Sequence, residues 1–171
     1  MRPLSRTSAL ERLATQREDF RTHIAANFEH RAKNCDSCQT KGACCLDAHF
    51  VNVRISRLDA EAIRAVLDKL DAAPRTSVLS RVDHAIEKFD LAENRDKTYA
   101  CPLYDAALGC IVHTDAKPFA CIAHACYEKS EDLPPDQLLT EQEGLVEKLN
   151  IRTYGRPQPW LPIPLAIKRG S

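Results

Sequence analysis

The first thirty residues carry apolar side chains at the three- and four-residue steps that form one face of an α-helix. The stripe runs through Leu10, Leu13, Phe20, Ile24 and Phe28, with only Arg17 interrupting it. Such spacing is typical of an amphipathic helix whose apolar face packs on the rest of a domain. We therefore predict a docking helix over residues 5–30.

The pattern changes after the next eighteen residues. From His49 to Ile55 apolar and polar side chains alternate, which predicts a short strand. Ser56, followed three residues later by Asp59, resembles a capping box and predicts a helix from residue 57 to about residue 71. The core face of that helix would consist of Ile63, Val66, Leu67 and Leu70.

Two more helices are predicted downstream. Pro74 separates the previous helix from one that begins near Thr76, with an inward face of Val78, Val82, Ile86 and Phe89. Pro134-Pro135-Asp136 starts a helix that runs to about Leu149, where Asn150 is a C-terminal stop signal. The proline spacing of residues 154–164 then predicts an extended tail that lies across the surface, with Trp160 in a groove.

Composition and charge narrow the classes of partner. The 24 Lys and Arg residues are balanced by 24 Asp and Glu residues, so no net charge favours nucleic acid or an anionic membrane. No apolar run approaches the roughly 20 residues that span a bilayer. Residues 1–6 lead into polar sequence without the apolar stretch of a signal peptide, which predicts a cytoplasmic location. We expect no nucleic-acid and no membrane partner, whereas a protein partner stays open.

The candidate chemistry lies in eight cysteines that fall into two groups. They are Cys35, Cys38, Cys44 and Cys45, then Cys101, Cys110, Cys121 and Cys126. In a reducing compartment such a dense set is more often metal-binding or catalytic than disulfide-bonded. Burial of the cysteines as small apolar residues is a further, weaker interpretation. The Cys-x-x-Cys spacing of the first two is the commonest one for two thiolates that hold one metal ion or cluster.

Cys44 and Cys45 are adjacent, which bears on their roles as ligands. In an extended backbone their side chains point to opposite sides, so they would be poorly placed at two corners of one tetrahedron. One of them would then ligate while the other serves a second metal, bridges or stays a thiol. We expect the two cysteine groups to converge on a shared centre, either zinc or an iron–sulfur cluster of the 4Fe-4S type. The sequence does not separate these metals.

Three histidines lie near the cysteines. His113 and His124 fall within the second group, and His49 follows the first. With so many thiolates available none is needed as a ligand, so we expect supporting or surface roles. His84, on a predicted helix among charged residues, is interpreted as a surface histidine.

These residues together resemble a known pattern. Cys35-x-x-Cys38, Cys44-Cys45, Cys101-Pro102, Gly109-Cys110 and Pro118-x-x-Cys121 are similar to the YkgJ-type cysteine-cluster family. That family is described as a zinc- or iron-chelating domain and is often labelled an iron–sulfur oxidoreductase. The resemblance covers roughly residues 35–127 and implies that the first seven cysteines are ligands. Cys126 lies outside the pattern and is either an eighth ligand or a bystander.

The resemblance implies a metal-binding protein that acts in electron transfer or as an accessory to a partner enzyme. One alternative is a structural zinc module that presents a surface to another protein through the proline-rich tail. Another is a cluster-dependent enzyme such as a methyl-transferring protein, because a related cysteine pattern occurs in flagellin lysine methylases. A thiol redox protein that uses Cys35 and Cys38 is the third. Whether the protein is an enzyme, and with which catalytic residues, stays open.

The expected fold is mainly α. It is a small single metal-binding domain with long cysteine-bearing loops and at most a short β element. We divide the chain into an N-terminal helix (1–34), a cysteine-cluster metal-binding domain (35–127), and a C-terminal helix with a proline-rich tail (128–171).

Overall fold

A computed structural model describes residues 2–33, 40–46 and 51–169 of the chain. The chain divides into two compact units, each built from two separate segments. Unit 1 combines Met1–Lys41 with Lys117–Gln158, and unit 2 combines Gly42–Ala116 with Pro159–Ser171. The chain thus leaves unit 1, forms most of unit 2, returns to unit 1 and ends in unit 2.

Helices dominate the described residues. In chain order they are α1 (Arg6–Asn27), α2 (Ala43–Leu46), α3 (Arg57–Leu67), α4 (Ala72–Lys88), α5 (Phe119–Ala123), α6 (Asp136–Tyr154) and α7 (Ile163–Lys168). Two short 3₁₀ helices cover Glu29–Arg31 and Ser130–Asp132. None of the helices in the described ranges is long and apolar enough to cross a membrane.

The strands are two residues long and form antiparallel pairs. They are β1 (Ala32–Lys33), β2 (Arg54–Ile55), β3 (Tyr104–Asp105), β4 (Gly109–Cys110), β5 (Cys126–Tyr127) and β6 (Leu161–Pro162). Within the described residues β1 pairs with β5, β2 with β6 and β3 with β4. This small amount of sheet beside long helices confirms the mainly α class.

Unit 1 is built on α1, which packs against α5 and α6. The buried residues of α1 lie on one helical face: Ala9, Leu13, Arg17, Phe20 and Ile24. The Phe20 ring lies 5.7 Å from that of Phe119 on α5, measured between centroids, and Gln16 donates to the side chain and the backbone carbonyl of Gln142 on α6. The predicted helix is confirmed, and Arg17 belongs to its buried face.

Unit 2 has an apolar core to which α3, α4 and α7 all contribute. Both α3 and α4 pack against α7, and the Arg64 guanidinium donates to the backbone carbonyls of Ala166 and Ile167. The surface tail predicted over residues 154–164 is therefore wrong for its second half, which forms β6 and the start of α7. Its apolar residues Leu161 and Ile163 are buried in this core, and that burial outweighs the extended bias of the prolines.

The helix starts show where local signals are reliable. The capping box is present: the Ser56 hydroxyl accepts the backbone N–H of Asp59, while the Asp59 carboxylate accepts that of Ser56. By contrast, α4 begins at Ala72, before the start predicted near Thr76. Pro74 lies in its first turn, where a backbone N–H has no helical partner, so the proline costs little there.

The helix ends differ more from the predictions. α3 stops at Leu67 instead of about residue 71. α6 continues to Tyr154 and ends at Gly155, which has a φ of 75°. Asn150, expected as the stop, is buried inside α6 and donates its side-chain amide to the Val146 carbonyl. A glycine adopts the left-handed conformation that terminates a helix with less strain than an asparagine does.

The strand predicted over residues 49–55 is shorter than expected. Regular pairing covers only β2, and residues 49–50 lie outside the described part of the chain. The alternation itself holds, because Val51 and Ile55 are buried whereas Asn52 and Arg54 are exposed. The segment therefore presents its apolar side to the core of unit 2 with little strand geometry.

Candidate metal centre

Cys44 and Cys45 lie on α2, a single helical turn. The turn opens at Gly42, whose carbonyl accepts the N–H groups of Cys45 and Leu46 at 2.8 and 2.9 Å. Adjacent helical residues are rotated by about 100° instead of the half-turn of a strand. The Cys44 thiol accordingly lies close enough to Cys45 to help raise the pKa of Cys45. The extended backbone that would point the two thiols to opposite sides is replaced here by a helical turn.

Cys101 joins this pair through the backbone. Its N–H donates to the carbonyl oxygen of Cys45 with an N–O distance of 2.7 Å. Its own carbonyl accepts the N–H of Tyr104 at 3.3 Å, which turns the chain around Pro102. The turn leads directly into the β3–β4 hairpin.

Cys110 is held by that hairpin. The register sets Tyr104 opposite Cys110 and Asp105 opposite Gly109. The Asp105 carboxylate accepts the N–H groups of Ala107 and Leu108 at 2.9 and 3.2 Å, and these bonds lower its pKa. The hairpin therefore returns Cys110 toward the turn that begins at Cys101.

Gly42 and Tyr104 close the contact between α2 and the hairpin. A β-carbon placed on Gly42 would overlap the aromatic ring of Tyr104, and Gly42 has a φ of +79°. Both conditions favour glycine, since other residues rarely adopt this backbone conformation. No local sequence pattern indicates the aromatic ring beside Gly42.

Arg81 on α4 contacts both the turn that follows Cys101 and the β3–β4 hairpin. Its Nε donates to the carbonyl oxygen of Pro102 at 3.0 Å, and its Nη1 lies 3.6 Å from the Asp105 carboxylate. The Nη1 group also donates to Ser77 on the same helix. One guanidinium thus contacts both the residue after Cys101 and the hairpin that bears Cys110. Sequence reasoning missed Arg81, because no local pattern distinguishes it from a surface arginine.

Three neighbouring cysteines of unit 2 affect the titration of Cys45. Burial, followed by Cys44, Cys101 and Cys110, raises the pKa of Cys45 to about 12. Cys101 and Cys110 also pack against the apolar core of unit 2. Thiolates gathered in this way repel one another, so a cation among them would be stabilising.

The remaining cysteines belong to unit 1. Cys121 lies on α5, and Cys126 lies on β5 opposite Lys33. Cys35 and Cys38 fall outside the described residues. No disulfide joins any two of the six cysteines that the structure describes. In the same residues, no three His, Cys, Asp or Glu side chains form a group that could hold a metal ion.

The histidines lie at the periphery. His84, His113 and His124 are exposed, as expected for surface residues, and His49 is outside the described ranges. The backbone N–H of His113 donates to the Cys110 carbonyl at 3.0 Å. His113 therefore continues the turn that follows β4.

Comparisons with known proteins found no counterpart for this arrangement. The chain matches no protein-family model, no curated protein and no solved structure.

Proposed function

We propose that this protein binds an iron–sulfur cluster or zinc through cysteine thiolates and acts in electron transfer or as an accessory to a partner enzyme. The observation that supports this most is the hydrogen bond from the Cys101 N–H to the Cys45 carbonyl, together with the raised pKa of Cys45 to which Cys44, Cys101 and Cys110 contribute. The resemblance to the YkgJ-type family and a reducing cytoplasmic location are parts of the same proposal.

Thiolate is a suitable donor for such a centre, and binding would have to bring the sulfurs together, because no three described side chains form a ready ligand group. Thiolates are soft ligands that select zinc and iron–sulfur clusters over hard cations. Cys44, Cys45, Cys101 and Cys110 are all half-buried, so their sulfurs combine an apolar surrounding with access from solvent. A bound cluster supplies one-electron transfer, and bound zinc supplies a structural cross-link.

The chain's own contribution is to hold the ligands. Gly42 and Tyr104 set α2 against the hairpin, while Arg81 fixes the Pro102 carbonyl and the Asp105 carboxylate. Metal binding would draw the sulfurs together and release their protons, since ligating thiols must be deprotonated. Partial exposure leaves one side of the centre open to a protein partner.

A structural zinc module is a second candidate. It is favoured by the packing of Cys101 and Cys110 against the apolar core of unit 2. A metal held there would couple directly to folding, as structural zinc sites do. In that case a partner protein could contact the proline-rich tail only at residues before Leu161, because Leu161 itself is buried.

The test is purification of the full chain without oxygen, followed by visible absorption and measurement of iron, zinc and acid-labile sulfide per chain. Brown protein with iron and sulfide supports the cluster. Colourless protein with stoichiometric zinc supports the structural module. Protein that folds normally with neither metal would refute both.

A further inference from the structure

The helices α1 and α6 of unit 1 border a groove whose lining contains no cysteine. The groove has a volume of about 750 Å³ and is lined by one stripe of residues from each helix. Its apolar side chains are Phe20 on α1 and Leu138, Leu145 and Leu149 on α6. We propose that this groove is the interface through which two copies of the chain pair. The pairing goes beyond the proposed function and needs no metal.

Two contacts give the relative direction of the helices. The Leu4 N–H, just before α1, donates to the Arg152 carbonyl at 3.0 Å, and the side-chain amide of Gln16 donates to that of Gln142 at 2.9 Å. Residue numbers therefore rise along α1 where they fall along α6, so the two helices are antiparallel. The same pair of helices in a second copy can pack on this groove, as antiparallel pairs do in four-helix bundles.

Leu145 supplies an apolar contact at the middle of the groove. It lies seven residues from Leu138 and seven from Arg152, which are the ends of the α6 stripe. Leu145 is 45% exposed, whereas Leu149 and Phe20 beside it are buried. A two-fold axis at this position would set Leu145 of one copy against Leu145 of the other and remove both from water.

The charged residues of the lining are separated along the groove. Arg12, Lys148 and Arg152 lie toward one end, where they outnumber the acidic Glu11. Asp19 lies toward the other end. A two-fold axis turns the positive end of one copy onto the negative end of the other, so the groove is complementary in charge to itself. This pattern favours a second copy of the chain as the occupant.

Sedimentation of the full chain over a series of concentrations tests the pairing. Reductant is present, so that disulfides between copies do not contribute. We expect dimers of the unaltered chain, and we expect Leu145→Glu to raise the dimer dissociation constant by at least about 10-fold, because two leucines lose their buried contact. Leu133→Glu is the matched control. Leu133 is 48% exposed but does not line the groove, so this variant should dimerise like the unaltered chain.

Two results would overturn the inference. One is an unaltered chain that stays monomeric up to about 1 mM, since even a weak pair associates at that concentration. The other is a dimer that Leu145→Glu leaves as stable as before, which would locate the contact on another surface. Neither result bears on metal content, so the proposed function would stand.

Charge reversal tests the antiparallel direction without changing an apolar residue. Asp19→Lys makes both ends of the groove positive, and Lys148→Glu/Arg152→Glu makes both ends negative. We expect each protein alone to dimerise less than the unaltered chain, and an equimolar mixture of the two to form heterodimers. A mixture that associates no better than either protein alone would overturn the pairing.

Discussion

The backbone N–H of Cys101 donates a hydrogen bond to the carbonyl oxygen of Cys45. This bond joins a helical turn near the start of unit 2 to a loop more than fifty residues later in the chain. Because it involves backbone atoms, it fixes the relative position of the two segments independently of which side chains they carry. It is the contact on which the arrangement of the four unit 2 cysteines depends.

Replacing Cys101 by serine should lower metal content and stability together. Serine is a poorer ligand for a soft metal, and metal-binding free energy is coupled to folding. Cys35→Ser, at a position outside the described residues, is expected to have the same effect. Metal analysis and thermal unfolding of the purified variants check this.

The matched control for Cys101→Ser is the metal-free state. Cys101 packs against the core of unit 2, so some destabilisation will come from packing alone. The difference in unfolding free energy between variant and unaltered chain should shrink after chelation. An equal difference with and without metal would show that Cys101 has only a packing role.

Replacing Gly42 by alanine should reduce both stability and metal content. The new β-carbon would overlap the Tyr104 ring, and the backbone has a positive φ. The conformational penalty alone is about 1 kcal/mol, and the overlap adds to it. Denaturant unfolding and metal analysis measure the two effects.

Gly109→Ala is the control for that substitution. Gly109 has a similar φ of +75°, but nothing lies within 4 Å of the position of its β-carbon. Gly109→Ala should therefore lower the free energy of unfolding only by the cost of the positive φ. If Gly42→Ala were no more harmful than Gly109→Ala, the contact with Tyr104 would not constrain α2.

Replacing Arg81 by methionine should weaken metal binding more than folding. The variant loses the hydrogen bond to the Pro102 carbonyl and the ion pair with Asp105. One such hydrogen bond contributes roughly 1 kcal/mol, so the dissociation constant should rise by roughly 3- to 10-fold. Competition with a chelator measures it.

Two further variants show whether Arg81 acts as a positioning residue. Ser77→Ala removes only the contact on the α4 side and should leave metal affinity unchanged. Arg81→Lys keeps the charge near Asp105 and should restore part of the affinity. A loss of affinity that merely follows the unfolding free energy of the metal-free protein would contradict a positioning role.

The metal-free protein should lose stability at alkaline pH through Cys45. Burial, followed by the neighbouring thiols, raises the pKa of Cys45 from an ordinary 9.0 to about 12. Between these values the unfolded chain ionises the thiol whereas the folded chain keeps it protonated. This contribution to stability is therefore present below pH 9.0 and lost as the pH rises to about 12.

Urea unfolding of the metal-free chain, below pH 9.0 and again near pH 12, measures this loss of stability. The comparison with Cys45→Ala is needed because burial also raises the pKa of Tyr127. The variant should lose less stability over the same interval. An identical pH dependence in both proteins would show that Cys45 is not responsible.

Local signals in the sequence predicted local structure well. Ser56 and Asp59 form the capping box expected of them, because its atoms are three residues apart. The helix end at Gly155 and the burial of Leu161 have no such local signal, because Asn150 and the prolines favour an earlier stop and an extended tail whereas burial decides the outcome. Whether a segment is buried depends on partners that are distant in sequence.

The candidate site shows the same division. The cysteines could be predicted as candidate ligands from their residue type and spacing alone. The hydrogen bond between Cys101 and Cys45, and the bracing by Arg81, depend on tertiary packing of α4 against the later loop. Each unit combines two separate segments of the chain, and this division likewise has no local sequence signal.

The most direct test of thiolate ligation is X-ray absorption at the edge of whichever metal is bound to the full chain. Our account predicts a first shell of sulfur, at about 2.3 Å if the metal is zinc. A first shell of nitrogen and oxygen alone would contradict the central claim that cysteine thiolates hold the metal.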